Sequence, residues 1–257
     1  MEILHAIILG IIEGLTEFLP ISSTGHMILA GELLKLGNSE FLKTFEIAIQ
    51  FGAILSVVIL FWKKFFSNLA VLKRVIVAFI PTSIIGLLLY KTLKTVLLGN
   101  ASVVLWSLFL GGLFLIIFEK FYKEKDDPTC GLECISYKKA ALIGVCQSVA
   151  IIPGVSRSAA TILGGLALGI KREEIVEFSF LLAVPTMAAA TGYDLLKSAP
   201  QFSSSDLAVL AVGFLVSFLV AWAAVKWLVG YVQKNNFTAF GWYRIILAIV
   251  FWFLVMR

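Results

Sequence analysis

The sequence predicts an all-α polytopic membrane protein, with about six transmembrane helices and two broken, re-entrant helix pairs, built as an inverted repeat. Three observations predict it. The chain of 257 residues is 60% hydrophobic and 14% charged, with a mean hydropathy of +0.98, where a soluble domain averages roughly 45–50% apolar and about 25% charged. Its apolar runs are continuous, unlike the short alternating segments of a membrane β-barrel. Each half also carries two short apolar segments around a polar break, and such broken backbone is tolerated in a membrane only where protein or a water-filled cavity surrounds it.

The first run, Ile3 to Ile12, is too short to span, because a spanning helix needs about 20 residues. Pro20 removes a backbone donor and disfavours helix at the residue before it. A second short run, Met27 to Leu36, follows the break. Phe45–Trp62, Val75–Tyr90 (with Pro81) and Ser102–Phe118 are then candidate spans. A polar connector, residues 128–137, falls at mid-chain. The order then repeats: a short run from Ala140 to Ile152, a break at Pro153-Gly154, a short run from Ile162 to Ile170, and the spans Phe178–Leu196, Leu207–Leu228 and Ala239–Met256. The repeats are read as approximately 1–127 and 138–257, within a single integral membrane domain over 1–257. An odd number of spans per repeat inverts the second half relative to the first, a recurrent membrane architecture.

Net charge is +5, but the Lys and Arg side chains read as loop anchors, and no nucleic-acid partner is expected. Counted over six spans, 13 of them fall on the side reached after the first span and 6 on the other, which makes the first side cytoplasmic. The first break then enters from outside. The three cysteines offer no zinc-ligand set.

The chemistry concentrates at the breaks. Glu13 and Glu17 are four apart on one helical face, so their repulsion needs a cation, a proton or a functional demand to offset it. Ser22, Ser23, Thr24 and Gly25 read as a helix start with free N–H groups, a natural anion cradle, although Ser23 and Thr24 could serve only as caps. His26 follows at once and reads either as a satisfied buried histidine or as part of the site beside the hydroxyl cluster and acid pair. In the second half, Arg157 lies between Ser156 and Ser158 after Pro153-Gly154, inside an apolar stretch that makes an unpaired charge costly. Its planar fork suits phosphate oxygens, and it could also pair with a glutamate across the repeats. Glu46 and Gln50, four apart in a span, read equally as site residues or as inter-helix glue. Gly10-x-x-x-Gly14 and Gly165-x-x-x-Gly169 read as close-packing motifs. Intramembrane polar clusters of this kind fit a membrane enzyme or a transporter of lipid phosphates, and disfavour a purely structural scaffold.

The stretches Glu13-Gly-Leu-Thr-Glu-Phe-Leu-Pro-Ile-Ser-Ser-Thr-Gly-His26 and Pro153-Gly-Val-Ser-Arg-Ser-Ala-Ala-Thr161 resemble the two signature motifs of the undecaprenyl-pyrophosphate phosphatase family, also called the bacitracin-resistance proteins. Phe45-Glu-Ile-Ala-Ile-Gln-Phe-Gly-Ala-Ile54 resembles a third family segment, with Phe51 where leucine is usual. The resemblance implies a multi-pass plasma-membrane hydrolase that converts undecaprenyl diphosphate to undecaprenyl phosphate and inorganic phosphate. The product is the lipid carrier for peptidoglycan precursors, and the family is associated with bacitracin resistance. It further implies a requirement for a divalent cation, Mg²⁺ or Ca²⁺, and an active site facing the outer side. On that reading Arg157 clamps the diphosphate, with Ser156, Ser158, Thr161, Thr24 and Gln50 holding its other oxygens. Glu17, helped by Glu13, binds the metal or positions a base. His26 or Ser23 attacks the terminal phosphorus, with His26 favoured. A polyprenyl-phosphate flippase on the same fold is the competing expectation, and the sequence leaves a homodimer open.

Overall fold

The computed structural model describes residues 1–37, 39–92, 101–124, 131–197 and 204–255, and these are helical throughout their regular elements. The first half runs α1 (Ile3–Thr16), α2 (Ser23–Leu33), α3 (Glu40–Leu60), the short α4 (Trp62–Phe66), α5 (Leu69–Thr92) and α6 (Ala101–Phe121). The second half runs α7 (Tyr137–Ser148), α8 (Arg157–Ala167), α9 (Arg172–Lys197), α10 (Ser204–Val232) and α11 (Thr238–Val255). The part of the expected connector that includes Cys130 lies outside the described residues.

Among the described residues five helices, α3, α5, α6, α9 and α10, are long and apolar enough to cross a membrane. The sixth expected span, α11, is equally apolar but shorter, at 18 residues. At 1.5 Å per residue that is about 27 Å, just under the roughly 30 Å hydrocarbon core. The spans extend beyond their apolar runs because polar residues cap them. The Ser39 hydroxyl accepts the Leu42 N–H to start α3 five residues before the apolar run, and Ser136 does the same for α7 through Lys139. The outer surface is apolar, with Leu87, Leu88, Phe114, Leu219 and Leu254 all exposed. A contiguous apolar exterior is expected where lipid, not water, is the solvent.

Two short helices separated by a break open each half, and three long helices follow. The two halves interlock. α1 packs along α10, and α7 packs along α5, so the opening helix of each half lies on a long helix of the other. α3 lies against both α10 and α9, and α6 pairs with α11. Small residues permit these approaches. A Cβ on Gly10 would meet the Gly213 carbonyl oxygen at 2.8 Å, and one on Gly14 would meet that of Ser217 at 2.7 Å. The Ser217 hydroxyl adds polar glue, donating to the Ile49 carbonyl at 2.7 Å. The second expected packing motif holds only in part. Gly165 faces Ile175 closely, whereas Gly169 meets nothing and instead ends α8 with φ +73°, as a left-handed cap.

Arg172, expected as a loop anchor, is buried. Its guanidinium is paired with Glu119 of α6, with Nη2 2.9 Å from Oε2, and Glu119 also accepts the Phe237 N–H at 3.0 Å. This pair joins the ends of α6, α9 and α11 away from the breaks.

Gly144 gives the first testable consequence. A Cβ there would overlap the Ala78 carbonyl oxygen of α5, a backbone atom that cannot swing aside. Gly144→Ala is expected to lose about 1–3 kcal/mol through overpacking. The check is the thermal unfolding midpoint in detergent, beside Gly31→Ala, whose added methyl meets nothing. Equal midpoints for the two variants would show that α5 and α7 can part freely.

Candidate active site

Both breaks end in a serine held in a conformation that L-residues rarely adopt. Ser22 has φ +73° and Ser156 has φ +78°. Each caps the helix that follows: the Ser22 hydroxyl accepts the Gly25 N–H, and the Ser156 hydroxyl accepts the Ala159 N–H. Strain of this kind costs of order 1–3 kcal/mol and persists only where the surroundings over-determine it. Its effect is to turn the first residues of α2 and α8 into a shared pocket of about 250 Å³. The first break contributes Glu17, Ser22, Ser23 and Thr24. The second contributes Pro153, Gly154, Ser156 and Arg157. Gln50 of α3 and Met187, Ala190 and Thr191 of α9 complete the wall.

Within the pocket the polar groups form one chain. Arg157 Nη2 lies 3.0 Å from Glu17 Oε1, an ion pair whose side chains are 13% and 7% exposed. Glu17 Oε2 accepts the Ser23 hydroxyl. Arg157 Nη1 donates to the Ser179 carbonyl at 2.9 Å, its guanidinium lies over the Phe18 ring, and its Nε is buried with no protein partner. Glu13 is buried one helical turn before Glu17, with Glu46 close by. Glu13 Oε1 is buried without a hydrogen-bond partner.

The sequence-expected residues separate into two groups. Glu17, Ser23, Thr24, Gln50, Ser156 and Arg157 line the pocket together. Four do not. Ser158 and Thr161 are fully buried. The Ser158 hydroxyl donates to the Phe18 carbonyl at 2.7 Å and that of Thr161 to the Arg157 carbonyl at 2.8 Å, so both brace the breaks and neither is free for a ligand. Glu13 sits one layer deeper than the wall. His26 is not among the lining residues, and both its ring nitrogens are engaged: Nδ1 is 2.7 Å from the Ser22 carbonyl oxygen and Nε2 is 2.7 Å from the Tyr243 hydroxyl. Its ring also stacks on Tyr243. In this arrangement His26 ties the Ser22 turn to Tyr243.

Sequence reasoning missed Thr191, Met187 and the Ser179 carbonyl, which α9 brings from the other side of the bundle. It also missed Tyr243 and Arg244 of α11. Their only sequence signal was a charge, Arg244, six residues into an apolar helix beginning at Thr238.

Among the described residues no group of three or more His, Cys, Asp or Glu side chains is placed to hold a metal, so a cation here would rest on the acid pair and the substrate. The donor set is two carboxylates, one of them with an oxygen no protein group satisfies, and Mg²⁺ is commonly bound by one or two carboxylates plus substrate phosphates. A buried carboxylate pair beside a serine hydroxyl, an arginine fork and two helix N-termini can neutralise, align and attack a phosphate group.

Over 253 residues the chain is 51% identical to the undecaprenyl-diphosphatase of Wolinella succinogenes, covering 98% of each chain. It is 48% identical to the undecaprenyl-diphosphatase of Aquifex aeolicus, covering 96% of each. It is likewise 48% identical to that of Campylobacter jejuni, over 99% of this chain and 95% of the other. Residues 6–250 match the family described as bacitracin resistance protein BacA, and the chain belongs to that family.

Proposed function

We propose that this protein is a membrane phosphatase that hydrolyses undecaprenyl diphosphate to undecaprenyl phosphate and inorganic phosphate. It thereby recycles the lipid carrier for cell-wall synthesis and confers bacitracin resistance. The observation that carries the reading is the hydrogen-bonded chain Arg157–Glu17–Ser23, set at two convergent helix N-termini in a chain half-identical to undecaprenyl-diphosphatases.

Arg157 and the N–H groups opening α2 and α8 take the diphosphate oxygens, with Gln50, Thr24 and Ser156 around them. Ser23 Oγ attacks the terminal phosphorus and its proton passes to Glu17 Oε2, the atom it already faces. The anhydride P–O bond breaks, the polyprenyl phosphate leaves, and Glu17 returns the proton to the departing oxygen. Water then attacks the phosphoserine, again giving its proton to Glu17. Glu17 hands that proton to Ser23 as inorganic phosphate departs, so the enzyme ends as it began. A divalent cation held by Glu13 and Glu17 would neutralise the charge on the phosphate oxygens. The polyprenyl chain extends between helices into the bilayer. The pocket opens on the outer side of the membrane, a reading supported by the loop-charge asymmetry, which stays at 12 against 6 once the buried Arg172 is set aside. The repeated element order and the interlocked opening helices support an inverted repeat.

The test is phosphate release from a C15 or C55 polyprenyl diphosphate by detergent-purified protein, with and without EDTA. Release that chelation abolishes and Mg²⁺ or Ca²⁺ restores is the expected result. Folded protein that binds the lipid and moves it between leaflets, yet releases no phosphate, would make it a flippase instead.

A further inference from the structure

Arg244 is the largest fully buried side chain among the described residues, and the chemistry above gives it no part. A guanidinium has five N–H donors in a fixed fork. Here all five are spent, and every acceptor is a main-chain carbonyl. Nε donates to Leu108 at 3.3 Å. Nη1 donates to Pro20 at 3.3 Å and Val155 at 2.9 Å. Nη2 donates to Ser107 at 3.0 Å and Gly154 at 2.9 Å. Pro20 belongs to the first break, Gly154 and Val155 to the second, and Ser107 and Leu108 to α6. The guanidinium lies flat on Gly111 of α6, where any Cβ would overlap it. The preceding residue, Tyr243, reaches the first break by a separate route through His26.

We infer that Arg244 is a positioning residue that locks the two breaks in register, so that Ser23 on one faces Arg157 on the other across the pocket. This rests on the reading of that pocket as a phosphatase site. Backbone carbonyls at a helix break have lost their helical donors and cost free energy if buried unpaired. One cation that satisfies carbonyls from both breaks makes each break's geometry depend on the other. Lysine cannot substitute, because its ammonium has three donors and no fork. The groups that hold the diphosphate through α8 keep their own helix when the lock is lost. What suffers is their alignment with Ser23, so the turnover step is affected more than binding.

The experiment compares Arg244→Lys, Arg244→Met and Gly111→Ala in the full-length purified protein. Gly111→Ala is the second route, since it displaces the guanidinium while leaving Arg244 in place and improves helix propensity. Two quantities are read: backbone hydrogen–deuterium exchange over residues 18–25 and 152–158, and kcat and KM on farnesyl diphosphate. The expected result is exchange at least about tenfold faster in both segments together. kcat should fall about 100-fold with KM within about threefold, the scale of a small misplacement of reacting groups. Gly111→Ala should show the same pattern more weakly. Exchange that rises in one segment only, or rises equally in α3 and α10, or a Gly111→Ala variant equal to wild type in both quantities, would overturn the inference. If wild-type protein releases no phosphate while the two segments still loosen together, the phosphatase reading falls and the lock stands.

Discussion

Replacing Ser23 with alanine is expected to reduce phosphate release by about 10³-fold or more, with folding and lipid binding retained. Ser23 is the first residue of α2, lines the pocket, and already directs its proton at Glu17. Loss of a nucleophile that acts as a unit with its base removes nearly all the chemistry the pair supplies. His26→Ala should cost far less, about tenfold, because His26 acts through the Ser22 turn by a pair of hydrogen bonds at 2.7 Å. Single-turnover release of phosphate from both variants decides the matter. Near-normal release by Ser23→Ala beside a collapse in His26→Ala would return the attacking role to the histidine.

Arg157 is expected to separate stability from catalysis. Arg157→Met leaves the Glu17 carboxylate buried without its cation, and breaking a buried pair from one side costs about 3–5 kcal/mol. The double variant Arg157→Met/Glu17→Gln removes both charges and should recover much of that loss, as seen in the detergent unfolding midpoint. It should recover no activity, since both the diphosphate clamp and the base are gone. Arg157→Lys keeps the charge but not the bidentate fork, and a fall of about 10²-fold in kcat/KM is expected. A double variant that regains turnover would mean that the pair only fastens the two halves together.

What could be read from the sequence was what the chain encodes locally. The breaks, their serine caps, the Glu13/Glu17 spacing and the exposed apolar spans each follow from a few neighbouring residues. The Glu17–Arg157 pairing was legible as one option, because two lone charges in apolar surroundings need partners. The bond from Ser158 to the Phe18 carbonyl, 140 residues away, could not be read from residue order, whereas that from Thr161 to the Arg157 carbonyl is the usual back-bond one helical turn away. The pairing of His26 with Tyr243, 217 residues away, was equally hidden. α9 and α11 escaped notice because their contributions are single residues on otherwise apolar helices, brought in by packing alone.

The interlocking of the two halves has a consequence for how the protein is made. α1 finds its packing surface on α10, which begins at Ser204, and the first break finds its Pro20 carbonyl partner on Arg244. A ribosome therefore inserts the entire amino-terminal half, acid pair included, long before the surfaces that hold it exist. During that interval the buried carboxylates have no arginine and the broken backbone has no cover. The nascent chain must be sheltered, at the lipid interface or beside the insertion machinery, until the last two helices emerge. Activity is thus acquired in one late step, and chains that terminate before α11 should be cleared as unassembled membrane protein rather than retained as weak enzymes.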